Sequence, residues 1–270
     1  MRRAAHQLLD TPLIFEDPFA LRILPEDAAA GLLGPGGREE HPIARGLRAF
    51  MAARSRFAED QGAEAIGRGV RQYVLLGAGL DTFAWRNPHE RHGVRIFEVD
   101  HPATQAWKRE LMRRAKLPEP AMTTYVPVDF EHQRLAECLA EAGFSVAAPA
   151  FFSWLGVVPY LTLEAFRSTL DFLGNMAAGS GIVFDYGRPR EALGVSERLM
   201  LDWLAARVRD AGESFQLLLE PEDIESELAR VGWKVVADLD GAAIRERYFS
   251  NRQDGLEVRG SAGRIVSAGN

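Results

Sequence analysis

Two glycines and three acids carry the first chemical signal in this chain. In "QYVLLGAGLDTFAWR" (Gln72–Arg86) an apolar run enters Gly77-Ala78-Gly79, and Asp81 follows two residues after the second glycine. Glycine at a strand-to-helix turn removes the Cβ that would hold a nucleoside away from the backbone, and a helix beginning there offers unpaired N–H groups. The next apolar run ends in "FEVD". That sets Glu98 and Asp100 about 20 residues after the glycines, the distance at which a carboxylate meets ribose hydroxyls in dinucleotide-binding folds. Each feature has a structural alternative: a tight turn for the glycines, a helix cap for Asp100 before "HPATQ", a cap or first-turn acid for Asp81.

The same residues bear on which adenosine-bearing cofactor is held. A dinucleotide fingerprint needs a third small residue, and here that position is Thr82. Asp81 would also set a negative charge beside a pyrophosphate, which is penalised. S-adenosylmethionine carries an ammonium, a sulfonium and a single carboxylate, so an acid beside the turn suits it. Two further readings stay open at this point: an NAD-dependent oxidoreductase using the same turn and Asp100, and a non-catalytic binding protein.

Such a turn needs a particular frame. Strand candidates are Tyr73–Leu76, Arg95–Val99, Thr123–Val128, Ala150–Trp154 and Ile182–Phe184, separated by amphipathic segments. One segment aligns Ala103, Trp107 and Leu111; another aligns Leu163, Phe166, Leu170 and Leu173. This alternation predicts right-handed βαβ units and an α/β, doubly wound, mainly parallel sheet. Near the C-terminus "GWKVVADLD" and "LEVRGSAGRIV" follow one another without a clear helix between them, which predicts antiparallel closure of the sheet edge. Residues 1–70 read as a helical extension broken by the glycine-rich stretch from Gly31 to Pro42, residues 71–270 as the catalytic domain, and 186–220 as an insertion covering the acceptor.

Composition narrows the class. The chain has 270 residues, 47% hydrophobic and 26% charged, with a formal net charge of −6 and one cysteine. An acidic chain without a basic block is a poor electrostatic partner for nucleic acid or an anionic membrane. No apolar stretch reaches about 18 residues. A lone Cys138 cannot form an intrachain disulfide, so a cytoplasmic protein is the expectation. His89-x-x-His92 lies in a polar loop without a third ligand nearby, and no metal centre is expected. "WKRELMRRAK" reads as a solvated helix face.

The chain resembles class I S-adenosylmethionine-dependent methyltransferases of the leucine carboxyl methyltransferase type, including a bacterial polyketide O-methyltransferase branch. The resemblance rests on "AARSRFAED" (Ala52–Asp60), "VLLGAGLDTFAWR" (Val74–Arg86), "FEVDHPATQAWKRE" (Phe97–Glu110), "VPVDF" (Val126–Phe130), "FFSWLGVVPYLT" (Phe151–Thr162) and "IVFDY" (Ile182–Tyr186). It implies a seven-stranded Rossmann-like sheet and S-adenosyl-L-methionine as cofactor. Arg54 would meet the cofactor carboxylate, Gly77, Gly79 and Asp81 the methionine part, Asp100 with Glu98 the ribose, and Asp129 with Phe130 the adenine. One departure stands out: where many relatives carry Glu-Gly at the end of the fourth strand, this chain has Leu155-Gly156.

The resemblance also implies methyl transfer to a carboxylate or hydroxyl of a small-molecule acceptor. A carboxylate is ionised at neutral pH and needs no general base, whereas a phenol or alcohol benefits from one. His89, His92 and His101 are poor candidates for that base, which favours the carboxylate. Tyr160 and Tyr186 are candidate acceptor-orienting hydroxyls, and Trp154 either walls a pocket or packs in the core.

Overall fold

The computed structural model describes residues 1–33, 41–129, 132–210 and 212–270. Three helices come first: α1 (Arg2–Leu9), α2 (Glu26–Leu33) and α3 (Pro42–Gly67). Alternating elements follow: β1 (Gln72–Leu76), α4 (Phe83–Arg86), β2 (Arg95–Asp100), α5 (Pro102–Arg114), β3 (Thr123–Pro127), α6 (Leu135–Glu141), β4 (Ala150–Trp154), α7 (Leu163–Leu173) and β5 (Gly181–Gly187). The chain closes with α8 (Val195–Asp210), α9 (Pro221–Arg230), β6 (Lys234–Leu239), α10 (Gly241–Tyr248) and β7 (Gly263–Gly269). The glycine-rich stretch expected as a loop overlaps the end of α2, and its residues 34–40 lie outside the described residues.

The strands form one sheet in the order β3-β2-β1-β4-β5-β7-β6. β1 to β5 pair in parallel, and β7 runs antiparallel to both β5 and β6. The mainly parallel, doubly wound class and its antiparallel edge are as the alternation predicts. The last two strands do not follow one another directly, as their sequences suggest, because α10 stands between β6 and β7; Asp240 caps it by accepting from the Ala243 N–H. Helix geometry was hidden there by a short segment rich in Ala and Arg with a weak apolar face. The terminal strand also begins only at Gly263, later than the run from Leu256 suggests.

Both faces of the sheet are covered, as buried parallel strands require. Alternate residues point to opposite sides. Val74, Phe97, Phe152 and Phe184 join one core with Phe166 and Leu170 of α7 and Ile224 of α9. Tyr73, Leu75, Phe151 and Val183 join the other with Ala49, Ala52, Ala53 and Phe57 of α3. Ile14 and Phe15 belong to that second core too, so the first helices and their connections share packing with the sheet. Trp154 is core: it stacks on Phe166 with ring centroids 5.7 Å apart.

On α5 the buried residues are Gln105, Lys108, Leu111 and Met112, while Trp107 is half exposed. Of the three residues aligned by apolar spacing only Leu111 is buried, while Ala103 and Trp107 are exposed. Gln105 donates to the carbonyls of Glu98 and Val126, and Lys108 Nζ reaches Glu98 Oε2 at 2.7 Å. Periodicity counts apolar residues, so a face buried through polar partners escapes it. Lys108 therefore leaves the solvated face expected for "WKRELMRRAK", while Arg113 and Arg114 remain on it.

Candidate active site

The strand order reverses between β1 and β4, and open α/β sheets bind ligands in the crevice at that switch point. A cavity of about 260 Å³ lies there. Residues after β1 (Gly77, Gly79, Asp81) form one wall and residues after β4 (Leu155, Gly156) another; Arg3 and Arg54 reach in from the helices before the sheet. Gly77 takes φ +64°, the left-handed region that favours glycine, and a Cβ there would stand 2.4 Å from Val157 Cγ2. The turn leads into α4, a single helical turn of four residues.

Asp81 is engaged twice. Its Oδ1 accepts from the Phe83 N–H at 2.7 Å, and its Oδ2 lies 2.7 Å from Arg3 Nη1. Burial pushes the Asp81 carboxyl up, but Arg3, Arg86, Lys108 and the Phe83 N–H outweigh burial and hold it well below the usual carboxylate range. Arg3 Nη2 also pairs with Asp17 Oδ2 at 2.8 Å, and its Nε makes no hydrogen bond among the described residues. Phe15 is flanked by two guanidinium groups, with Arg3 5.0 Å and Arg86 4.8 Å from its ring. Thr82, where a dinucleotide turn would be small, donates its hydroxyl to Asp17 at 2.6 Å.

A second set of contacts fixes α1. Nε2 of buried His6 accepts from the Ile14 and Phe15 N–H groups, so its ring proton sits on Nδ1 and is donated to Asp10 at 2.7 Å. Arg48 of α3 grips the same carboxylate through Nε and Nη2 at 2.8 and 2.9 Å.

Asp100 ends β2 and accepts from the Gly79 N–H and from its neighbour His101. The cap of α5 is His101, whose Nδ1 accepts from the Ala103 N–H at 3.2 Å. The capping alternative for Asp100 is therefore taken by another residue. Glu98 is different. It is fully buried in the ion pair with Lys108; neither acid lines the cavity, but Asp100 accepts from the Gly79 N–H of the turn and Glu98 does not. Burial pushes its carboxyl up against the pull of Lys108. Strand alternation puts the two acids on the same face, but only the last one clears the sheet edge.

Asp129 lies two residues beyond β3. The Val128 N–H donates to the Asp100 carbonyl at 2.9 Å, tying this segment to the end of β2. Asp129 Oδ2 lies 2.9 Å from His132 Nδ1. Phe130 lies outside the described residues.

Arg54 of α3 is held by a residue that sequence reasoning did not single out. Its Nη1 donates to Asp185 Oδ2 at 2.7 Å, and Asp185 Oδ1 accepts from the Gly156 N–H at 2.6 Å. Gly156, at φ +72°, lies so close that an added Cβ would stand 2.7 Å from Arg54 Nη2. Asp185 sits within the quoted run "IVFDY", where an acid late in a strand was a usable sign. Arg3 offered no sign, since nothing in "MRRAA" sets it apart from Arg2. Leu155 lines the cavity and packs against the second core.

A larger cavity of about 550 Å³ adjoins the first, within the range of small-molecule sites. Met51, Arg54 and Gly156 line both. Its walls are largely apolar: Leu47 and Phe50 of α3, Met200 and Leu204 of α8, and Phe215 and Leu218 beyond it. Tyr160 and Tyr186 both line it. Tyr160 leans on Phe215 with ring centroids 5.5 Å apart. The Tyr186 hydroxyl is committed elsewhere, donating to Asp238 at 2.6 Å.

The family model for leucine carboxyl methyltransferase matches residues 1–174. The chain belongs to the leucine carboxyl methyltransferase family. It is 32% identical to YktD of Bacillus subtilis (strain 168), provisionally named an S-adenosyl-L-methionine-dependent methyltransferase, over 95% of this chain and 91% of that one. A relative of the same provisional name from Saccharopolyspora erythraea is 31% identical over 98% and 91%. The fold is that of a DUF574 family protein from Streptomyces avermitilis (TM-score 0.59, 17% identity, 99% and 100% covered). It is shared with magnesium protoporphyrin IX methyltransferase of Synechocystis PCC 6803, solved with S-adenosylhomocysteine (TM-score 0.51, 12% identity, 90% and 93% covered).

As a family member this protein is an S-adenosylmethionine-dependent methyltransferase, which sets aside the nicotinamide and non-catalytic readings. The first cavity suits that cofactor. It is lined by the glycine turn, it offers both guanidinium and carboxylate groups, and the buried Arg3 Nε stands without a hydrogen bond among the described residues. Among the described residues no helix is long and apolar enough to cross a membrane, and no group of three or more His, Cys, Asp or Glu could hold a metal.

Proposed function

We propose that this methyltransferase esterifies the carboxylate of a small, largely apolar acceptor seated in the larger cavity. The observation that carries this is the seam: Met51, Arg54 and Gly156 border the charged cavity on one side and the apolar cavity on the other. S-adenosylmethionine, when bound, supplies a methyl group on a positively charged sulfur. In this reading Arg3 and Arg54 receive its carboxylate, Asp81 faces its ammonium, the Gly77 and Gly79 turn admits its backbone-like part, and Asp100 receives the ribose. Asp129 and Phe130 are assigned to the adenine end by the family resemblance.

The protein's work is alignment and exclusion of water. Asp185 holds one Nη of Arg54, so the guanidinium is fixed before any ligand arrives. Residues 186–220, with α8 among them, cover the acceptor. Tyr160 orients it, while Tyr186 acts as a wall because its hydroxyl is already donated.

A carboxylate is favoured over a hydroxyl because no histidine lines the larger cavity among the described residues. Its acids are engaged: Asp185 by Arg54 and Gly156, Glu257 by Arg259. Burial pushes the Tyr160 hydroxyl up, so it is a poor base near neutrality. The test is transfer of labelled methyl to a panel of carboxylic acids and phenols, followed by alkali. Label released as volatile methanol reports an ester; label that survives alkali would refute carboxyl methylation.

A further inference from the structure

The larger cavity carries an electrostatic feature that methyl transfer leaves unexplained. It follows α3: Ile43, Gly46, Leu47, Phe50 and Arg54 recur at helical spacing along one wall. Arg54 marks the seam with the cofactor cavity. Arg45 lines the opposite end, nine residues earlier on the same helix, which is roughly 13 Å away at 1.5 Å per residue. Arg2 joins Arg45 at that end, because its Nη1 donates to the Ala44 carbonyl at 2.9 Å.

Neither Arg2 nor Arg45 forms an ion pair among the described residues. Arg2 bonds only to that carbonyl, and Arg45 Nη2 donates to the Asp254 carbonyl. The neighbouring acids are taken: Asp254 by Arg252, Asp10 by Arg48 and His6, and Glu257 by Arg259. Two half-buried guanidinium groups without a carboxylate, at the end of an apolar slot, form a receptor for an anion. Arg207 adds positive charge nearby, and burial together with Arg207 and Arg48 pushes the Arg2 guanidinium down. Bound anion would relieve that repulsion.

We infer that the acceptor is an elongated amphiphile with two anionic ends: the carboxylate to be methylated at the Arg54 seam, and a second carboxylate or phosphate group held by Arg2 and Arg45. This rests on the methyl-transfer reading of the site and adds its acceptor class. The apolar middle lies between Leu47 and Phe50 on one side and Met200 and Leu204 on the other. Only one of the two ends meets the methyl donor, so the product is a monoester that keeps its distal charge.

The test is titration calorimetry on the full chain saturated with S-adenosylhomocysteine. The probes are laurate, dodecanedioate and the ω-phosphonate analogue of laurate. Either dianion is expected to bind about tenfold more tightly than laurate, the scale of one charge-assisted contact. Arg45→Met and Arg2→Met should each remove most of that advantage while leaving laurate and S-adenosylhomocysteine affinities unchanged. A preference for the phosphonate over the dicarboxylate would identify the distal group as a phosphate ester, and the reverse as a carboxylate. Equal binding of laurate and both dianions to the cofactor-loaded protein would overturn this inference alone, as would an advantage that survives in both variants. Failure of S-adenosylhomocysteine to bind the wild-type chain would instead strike the proposed function, and this inference with it.

Discussion

Arg54 Nη1 and Asp185 Oδ2 lie 2.7 Å apart, joining α3 to the carboxyl end of β5 at the seam between the two cavities. The helix that precedes the sheet thus supplies a cation, and the sheet supplies the anion that fixes it. The second Asp185 oxygen reaches the Gly156 N–H, so one carboxylate organises both the guanidinium and the loop after β4.

Asp185→Asn should therefore impair cofactor binding without touching the cofactor. An amide keeps the shape but loses the charge-assisted contact, a change of about 1.5–3 kcal/mol. The dissociation constant for S-adenosylhomocysteine should rise about tenfold or more by calorimetry. Wild-type affinity in this variant would mean that Arg54 needs no positioning.

The pair of Asp81 with Arg3 predicts a pH dependence. The folded-state value of the Asp81 carboxyl is held below its value in the unfolded chain. Its stabilising contribution is therefore complete above about pH 4 and is lost as pH falls further. Melting temperatures of wild type and Asp81→Asn should differ most at about pH 6, and the gap should narrow as pH falls below about 4, where the unfolded chain takes up the proton first. A gap that stays constant over that range would contradict the pairing.

How far the site could be read from the chain depended on whether its residues sit next to backbone signals. Gly77, Gly79 and Asp81 were legible because a turn restricts residue type locally, and Asp100 because strand spacing brings it to the same edge. Arg3 was not legible as a member of the site, since long-range packing delivers it from α1, whereas Asp185 carried the sign of an acid late in a strand and was passed over. Glu98 misled for a related reason: its spacing matched a ribose contact, but a lysine ten positions later satisfies it inside the core. The parallel order of β1 to β5 was readable from alternation, whereas α10 was too short and too weakly amphipathic to register.

Gly77→Ala should be damaging for two separable reasons. The residue occupies the left-handed region, which costs a non-glycine residue roughly 1–2 kcal/mol, and its Cβ would collide with Val157. Gly77→Ala combined with Val157→Ala should recover part of the lost melting temperature, because only the collision is relieved. Full recovery would show that backbone conformation plays no part; none would show that Val157 is not the obstacle.

The two tyrosines of the larger cavity should behave differently. Tyr186→Phe is expected to cost about 1 kcal/mol of stability through the lost bond to Asp238 and to leave the rate of transfer unchanged. Tyr160→Phe should raise KM for the acceptor with little effect on stability. Steady-state kinetics and thermal melts on both variants check this; a large drop in kcat for Tyr186→Phe would restore its hydroxyl to the reaction.

The central claim is that the charged cavity and the apolar cavity are the two halves of one transfer site, meeting at Met51, Arg54 and Gly156. A crystal structure of the protein with S-adenosylhomocysteine measures this directly through the position of the sulfur. The sulfur is expected at that seam, facing the larger cavity, with the carboxylate on Arg54 and Arg3. A sulfur turned away from the larger cavity, or a ligand bound outside the crevice between β1 and β4, would contradict the account.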